Sequence, residues 1–121
     1  MKLRILPHAL GVCQVGSVKD VDPDAPFYFI GKTEEEMSLV CRTEDCPENT
    51  VSREDGWRGF FVDGVLDFSL TGILAKLAET LARAGVPIFA VSTWNTDYIL
   101  VKAEHFGKAV DALTEAGYTF V

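Results

Sequence analysis

The sequence predicts an α+β fold of two βαββαβ halves in tandem, each an antiparallel sheet with helices on one face, the first half degenerate. Three observations carry this prediction. Apolar spacing in the second half switches between the periods of strand and helix, turn residues fall at the switches, and the apolar pattern of the first half recurs at a fixed offset, Thr33 falling on Thr93.

The second half reads element by element. Residues 57–66 are aromatic and β-branched and are interrupted by Gly64, the pattern of a strand that bends or bulges. Leu70, Ile73, Leu74, Leu77, Ala78 and Leu81 then follow the i, i+3, i+4, i+7 spacing of a helix with one apolar face. Ser69 is placed to cap its start, and Gly85 with Pro87 to end it. Residues 86–91 and 98–101 are short apolar runs separated by Ser92-Thr93-Trp94-Asn95-Thr96-Asp97, so they form the two strands of a hairpin. Phe106, Ala109, Val110 and Leu113 make a second helical stripe closed by Gly117, and residues 118–121 supply a last strand. The order β-α-β-β-α-β is the split βαβ, or ferredoxin-like, arrangement.

In the first half, the offset lays residues 27–30 over 87–90 and 39–42 over 99–102. This suggests duplication, with halves at 1–56 and 57–121, although any two hairpins of equal length align to some degree. Residues 3–15 are expected to provide the first strand and the remnant of a first helix. Residues 17–26, rich in Asp and Pro, replace the rest of that helix with a loop.

Composition narrows the function. The chain has 121 residues, 48% of them hydrophobic, enough for one domain or two very small ones. Its net charge of −7 comes from 18 acidic and 11 basic residues, with no Lys/Arg cluster to displace counterions from a phosphate backbone, so no nucleic-acid partner is expected. No apolar run reaches the roughly 20 residues that span a bilayer. The opening run breaks at Pro7 before a signal-peptide core could form, so a soluble, cytoplasmic protein without membrane attachment is expected. Cys13, Cys41 and Cys46 are odd in number and lie in or beside apolar stretches, which suits reduced thiols rather than a secreted disulfide framework.

Three passages carry a resemblance: Leu66-Asp67-Phe68-Ser69-Leu70-Thr71-Gly72-Ile73-Leu74, Leu81-Ala82-Arg83-Ala84-Gly85-Val86-Pro87-Ile88-Phe89 and, most specifically, Ser92-Thr93-Trp94-Asn95-Thr96-Asp97-Tyr98-Ile99-Leu100-Val101. They resemble the ACT-domain family, and within it the bacterial two-ACT proteins related to the CASTOR arginine sensors and to the regulatory ACT domains of aspartokinase. Met37-Ser38-Leu39-Val40-Cys41 and Trp57 resemble that branch too. The resemblance implies a regulatory or sensory protein, not an enzyme, that binds a free amino acid or similar metabolite where paired ACT units meet. In such proteins the ligand lies between the loop entering the first helix and the hairpin of a neighbouring unit. Carried over to this chain, the ligand-binding residues are Leu70, Thr71, Gly72 and Ile73 at the helix start, and Ser92, Thr93, Trp94 and Asp97 on the hairpin. Edge-to-edge pairing of such sheets implies a homodimer.

The chemistry of these positions agrees. A helix start offers unpaired N–H groups and the positive end of the macrodipole to a carboxylate, and Gly72 lets that carboxylate approach closely. Asp97, at the mouth of an apolar strand, can hold an ammonium or guanidinium through a charge-assisted hydrogen bond, with Trp94 walling the pocket. The same residues also have plain structural uses: Asp97 in bonding its own turn, Gly72 in close helix packing, Trp94 in a core or dimer interface. Met37 stands where Asp97 stands in the repeat, which removes the cation-binding carboxylate from the first half.

Other motifs fall short. Gly31-Lys32-Thr33 ends like a phosphate-binding loop, but Pro26 occupies the position of its first glycine. Asp20-Val21-Asp22-Pro23-Asp24 starts like a calcium loop, yet Ala25 and Gly31 replace its glycine and its bidentate glutamate. Cys41 and Cys46 with His8 or His105 lack the two tight ligand pairs of a structural zinc site, and neither histidine partners a nucleophile. No cofactor and no metal are expected. The remaining alternative is an interaction module that keeps the fold without a ligand.

Overall fold

Pro7, which has no N–H to donate to a ladder, divides the opening of the chain into two strands, β1 (Lys2–Ile5) and β2 (Leu10–Gln14), in the computed structural model, which describes residues 1–67 and 69–121. A strand followed by a helix remnant, as expected for residues 3–15, is not what forms there. β1 pairs antiparallel with β5 (Ser52–Val62), Leu3 opposite Val62, and parallel with β8 (Thr119–Phe120). β5 also pairs with β7 (Asp97–Lys102), and β7 pairs antiparallel with β6 (Phe89–Ser92). The order β8-β1-β5-β7-β6 therefore has β1 where a plain βαββαβ unit would set its last strand beside its first. The chain divides into two compact units, a helical unit, Met1–Pro7 with Arg58–Val121, and a strand unit, His8–Trp57.

In the helical unit, α1 (Ile73–Arg83) and α2 (Phe106–Glu115) each bury one face. Leu77 and Leu81 of α1 and Ala109 and Leu113 of α2 are fully buried with Leu3, Phe60, Val62, Ile99 and Val101. Each large apolar side chain so buried contributes roughly 1.5–3 kcal/mol. Both helices close in the same way: Val86 N–H donates to Leu81 O at 2.9 Å and Tyr118 N–H to Leu113 O at 3.0 Å, with Gly85 and Gly117 left-handed at the turn. At its start α1 is shorter than its apolar stripe. It begins at Ile73, not Leu70, and its N-cap is Gly72 rather than Ser69.

The strand unit contains β2, β3 (Tyr28–Lys32), β4 (Met37–Arg42) and the first part of β5, antiparallel in the order β3-β4-β2-β5. Its core gathers Cys13, Val15, Val21, Met37, Leu39 and Cys41. Between β2 and β3 lies only a loop with one 3₁₀ turn, Val18–Asp20, capped by Ser17.

The hairpin of this unit matches the hairpin of the other in register and in its loop hydrogen bond. Phe29 faces Val40 as Phe89 faces Leu100. Thr33 N–H donates to Glu36 O at 2.8 Å, and Thr93 N–H to Thr96 O at 2.9 Å. Each hairpin runs into a 3₁₀ turn, Thr43–Asp45 or Ala103–His105, through a residue of nearly identical backbone, Arg42 (φ −61, ψ 141) or Lys102 (φ −62, ψ 142). There the two part. Phe106 is helical (φ −62, ψ −46) and starts α2, whereas Cys46 is extended (φ −65, ψ 131). Pro47 follows Cys46, and its ring excludes the helical conformation from the residue before it. No α-helix of the described residues is long and apolar enough to cross a membrane.

Candidate functional site

The widened loop between β5 and α1 folds back against the hairpin and opens a cleft of about 240 Å³. Leu66 N–H donates to Asn95 O at 2.7 Å, tying loop to hairpin. Asp67 then makes a tight turn: its Oδ1 accepts from Ser69 N–H at 2.8 Å, and its carbonyl accepts from Leu70 N–H at 3.0 Å. Gly72 follows with φ +78, a conformation that a side chain would strain, and sends the chain into α1. No side chain caps this helix, so its first N–H groups have no partner within the helix. Gly72, Ile73, Leu74 and Ala75 line the cleft at that end.

The opposite wall is the hairpin. Ser92 and Asp97 face each other as its last pair, and Ser92 Oγ donates to Asp97 Oδ1 at 2.7 Å. Thr93 Oγ1 donates to Thr96 O at 3.1 Å, and the buried Thr96 Oγ1 donates to Val62 O at 2.7 Å, so the loop is anchored to β5. Trp94 rises from the loop, 76% exposed, with Leu70 exposed across from it.

Of the eight residues singled out from the sequence, Leu70, Gly72, Ile73, Ser92, Thr93, Trp94 and Asp97 line this cleft. Thr71 instead faces a neighbouring cavity of about 210 Å³ with Met1, Lys76 and Tyr118. Phe68, within the first passage of the resemblance, lies outside the described residues. Sequence reasoning missed Asp67, Asn95 and Thr96. Asp67 had a readable signal, an Asp two residues ahead of a Ser at a helix approach, the spacing of an Asx turn. Its carboxyl is held below the ordinary aspartate value, chiefly by the Ser69 backbone N–H and then by the Ser69 side chain.

Chemically, the cleft brings together a donor-rich helix start and two carboxylates, Asp67 and Asp97, and among the described residues its lining includes no Lys, Arg or His. His105 lies in the 3₁₀ turn before α2, 4.0 Å from Glu104, and His8 belongs to the strand unit. Among the described residues no group of three His, Cys, Asp or Glu side chains is arranged to hold a metal ion.

Comparison with known proteins places this geometry. The family model of the ACT domain matches residues 52–115. A protein of Agrobacterium tumefaciens of solved structure is 29% identical, with a TM-score of 0.86 over 99% of this chain and 91% of its own. A Vibrio cholerae protein described as of unknown function, a possible transport protein, is 19% identical, with a TM-score of 0.71 over 92% of this chain and 85% of its own. The regulatory subunit of aspartate kinase from Thermus thermophilus shares the fold, with 14% identity and a TM-score of 0.63 over 95% of this chain and 96% of its own. No curated protein sequence matches the chain.

Proposed function

The chain belongs to the ACT-domain family, and from that premise we propose that it is a small regulatory protein that binds a free amino acid in the cleft between α1 and the β6–β7 hairpin. The observation that carries the proposal is the pairing, within one cleft, of a helix start with the carboxylates of Asp67 and Asp97. A zwitterion needs opposed charges at close range. Its carboxylate goes to the N–H groups at the start of α1, favoured by the macrodipole, and its ammonium to Asp97, which Ser92 already holds in place. The cleft, about 240 Å³, is smaller than the roughly 300–1,000 Å³ of sites for drug-sized ligands, in keeping with a small metabolite.

In this reading the exposed Trp94 and Leu70 are covered by a second copy, which makes the protein a homodimer with the ligand at the interface. The repeated hairpin supports two tandem ACT-like halves, the first degenerate. With Met37 buried where Asp97 stands, that half keeps no amino-acid site. In this reading the role is regulatory rather than catalytic, as the ACT-domain family membership suggests, and the setting is the cytoplasm. The exposure of Trp94 also favours a second reading, an interaction module that uses this face for a protein partner without a ligand.

A thermal-shift screen against the twenty amino acids, followed by calorimetry, tests the first reading. One amino acid raises the melting temperature of the wild type by mass action and leaves Asp97→Ala unmoved. If no amino acid shifts a folded dimer, the interaction module takes its place.

A further inference from the structure

The strand unit holds a feature that amino-acid binding does not use: all three cysteines of the chain meet in one place. Cys13 on β2 and Cys41 on β4 are buried on the same side of the sheet, and Cys46, just past the 3₁₀ turn, packs against both from a less buried position. The Sγ atoms of Cys46 and Cys13 are 3.7 Å apart. Cys46 occupies the point where the corresponding chain of the helical unit enters α2, but here the backbone runs on extended. Cys13 also lines an open cleft of about 450 Å³ beside Arg53 and Ser38.

We propose that Cys13 and Cys46 are a reversible dithiol–disulfide site that reacts with peroxides or low-molecular-weight disulfides and staples the degenerate unit when oxidised. Cys46, the more accessible thiol, reacts first. With hydrogen peroxide its thiolate attacks the O–O bond, leaving a sulfenic acid on Cys46 and releasing water once protonated. The Cys13 sulfur then attacks Cys46 Sγ and expels the second water, so that two thiols and one peroxide give one disulfide and two waters. With a disulfide as oxidant, Cys46 forms the mixed disulfide and Cys13 displaces the second small thiol. Cys41, the more deeply buried of the two thiols near Cys46, stays out of the bond.

Burial pushes the thiols of Cys13 and Cys41 up to about 12, assisted by Cys46. Resolution by Cys13 is consequently slow at neutral pH and quickens as the medium becomes alkaline. This suits a protein that is reduced at rest and cross-linked only under sustained oxidation.

Trypsin sites at Lys19, Lys32, Arg42 and Arg53 place the three cysteines on separate peptides, which makes the test direct. The full-length protein is incubated with excess oxidised glutathione or hydrogen peroxide, blocked with an alkylating reagent and digested without reduction. The result expected is a linked pair of peptides 5–19 and 43–53, with Cys41 alkylated on unfolding, and a melting temperature several degrees above the reduced form that returns with dithiothreitol. Cys41→Ala retains the link and the shift, and Cys46→Ser, a mild change at a part-exposed position, loses both. A dominant Cys41–Cys46 link, a cross-link between chains, or three free thiols after prolonged oxidation of the folded protein would each overturn the proposal.

Discussion

The two hairpins of this protein, Tyr28–Arg42 and Phe89–Lys102, have one register and one loop geometry, yet they lead to different ends. In the helical unit, the hairpin passes through a 3₁₀ turn into α2 and opens with Asp97 at the edge of a cleft. In the strand unit, the same hairpin stops at Cys46-Pro47 and opens with Met37 packed in the core. The same backbone hydrogen bonding is thus kept in both hairpins, while Pro47 disfavours a helix after the first, and the proposed ligand contact at Asp97 has no counterpart at Met37.

Copying the proline across gives the largest effect. Gly107→Pro imposes on Phe106 the restriction that Pro47 imposes on Cys46, and removes a backbone donor from the first turn of α2. The expected loss is about 2–3 kcal/mol in urea unfolding, because a Phe106 driven out of the helical conformation loosens the first turn that leads to the buried Ala109 and Leu113. The reverse change, Pro47→Gly, leaves stability within about 1 kcal/mol, since no α-helix follows the 3₁₀ turn there. Equal costs for the two substitutions would break the comparison.

The loops differ in depth as well. Thr96 Oγ1 is buried and donates to Val62 O at 2.7 Å, whereas Glu36 at the matching position is exposed. Thr96→Val leaves a buried carbonyl without its donor and costs about 1–3 kcal/mol, measured by denaturant titration. Glu36→Ala stays within about 0.5 kcal/mol.

How much of this was legible in the sequence varies with the range of the interaction involved. Helix α2 and the β6–β7 hairpin follow from local spacing, because their apolar residues face a single side and Gly117 closes the helix as a left-handed residue. The start of α1 is displaced because Asp67 takes the chain into an Asx turn that delays the helix to Gly72, although Leu70 continues the apolar stripe. The place of β1 between β8 and β5 is set by pairing between the two ends of the chain, and the period of residues 2–5 contains no information about it. Seven of the eight proposed site residues line one cleft because the helix start and the hairpin tip are adjacent in any βαββαβ unit. The turn at Asp67 was readable from its spacing to Ser69, but its place in the cleft was not, because that depends on the loop bonding back to Asn95.

The smallest effect concerns pH. The Ser69 N–H holds Asp67 below its ordinary value of 3.8 in the folded chain. A carboxyl depressed by folding adds stability above its unfolded pKa and loses it as pH falls through the lower, folded value. Asp67→Asn accordingly narrows the gap in melting temperature between wild type and variant as pH drops through the acid range. Because Asp67 is exposed, the change amounts to a degree or two near neutral pH. No narrowing on acidification would show that the turn is not held by the carboxylate.

The proposal that the hairpin with Asp97 holds a ligand and the matching hairpin does not rests on Asp97 at the cleft against the buried Met37. Calorimetric titration of wild type and Asp97→Met with the amino acid that gives the largest thermal shift measures this directly. The account predicts a single site per chain in the wild type, and in Asp97→Met an affinity lower by roughly 10- to 100-fold, the worth of a lost charge-assisted hydrogen bond. Two sites per chain, or undiminished affinity in Asp97→Met with the fold intact, would contradict it.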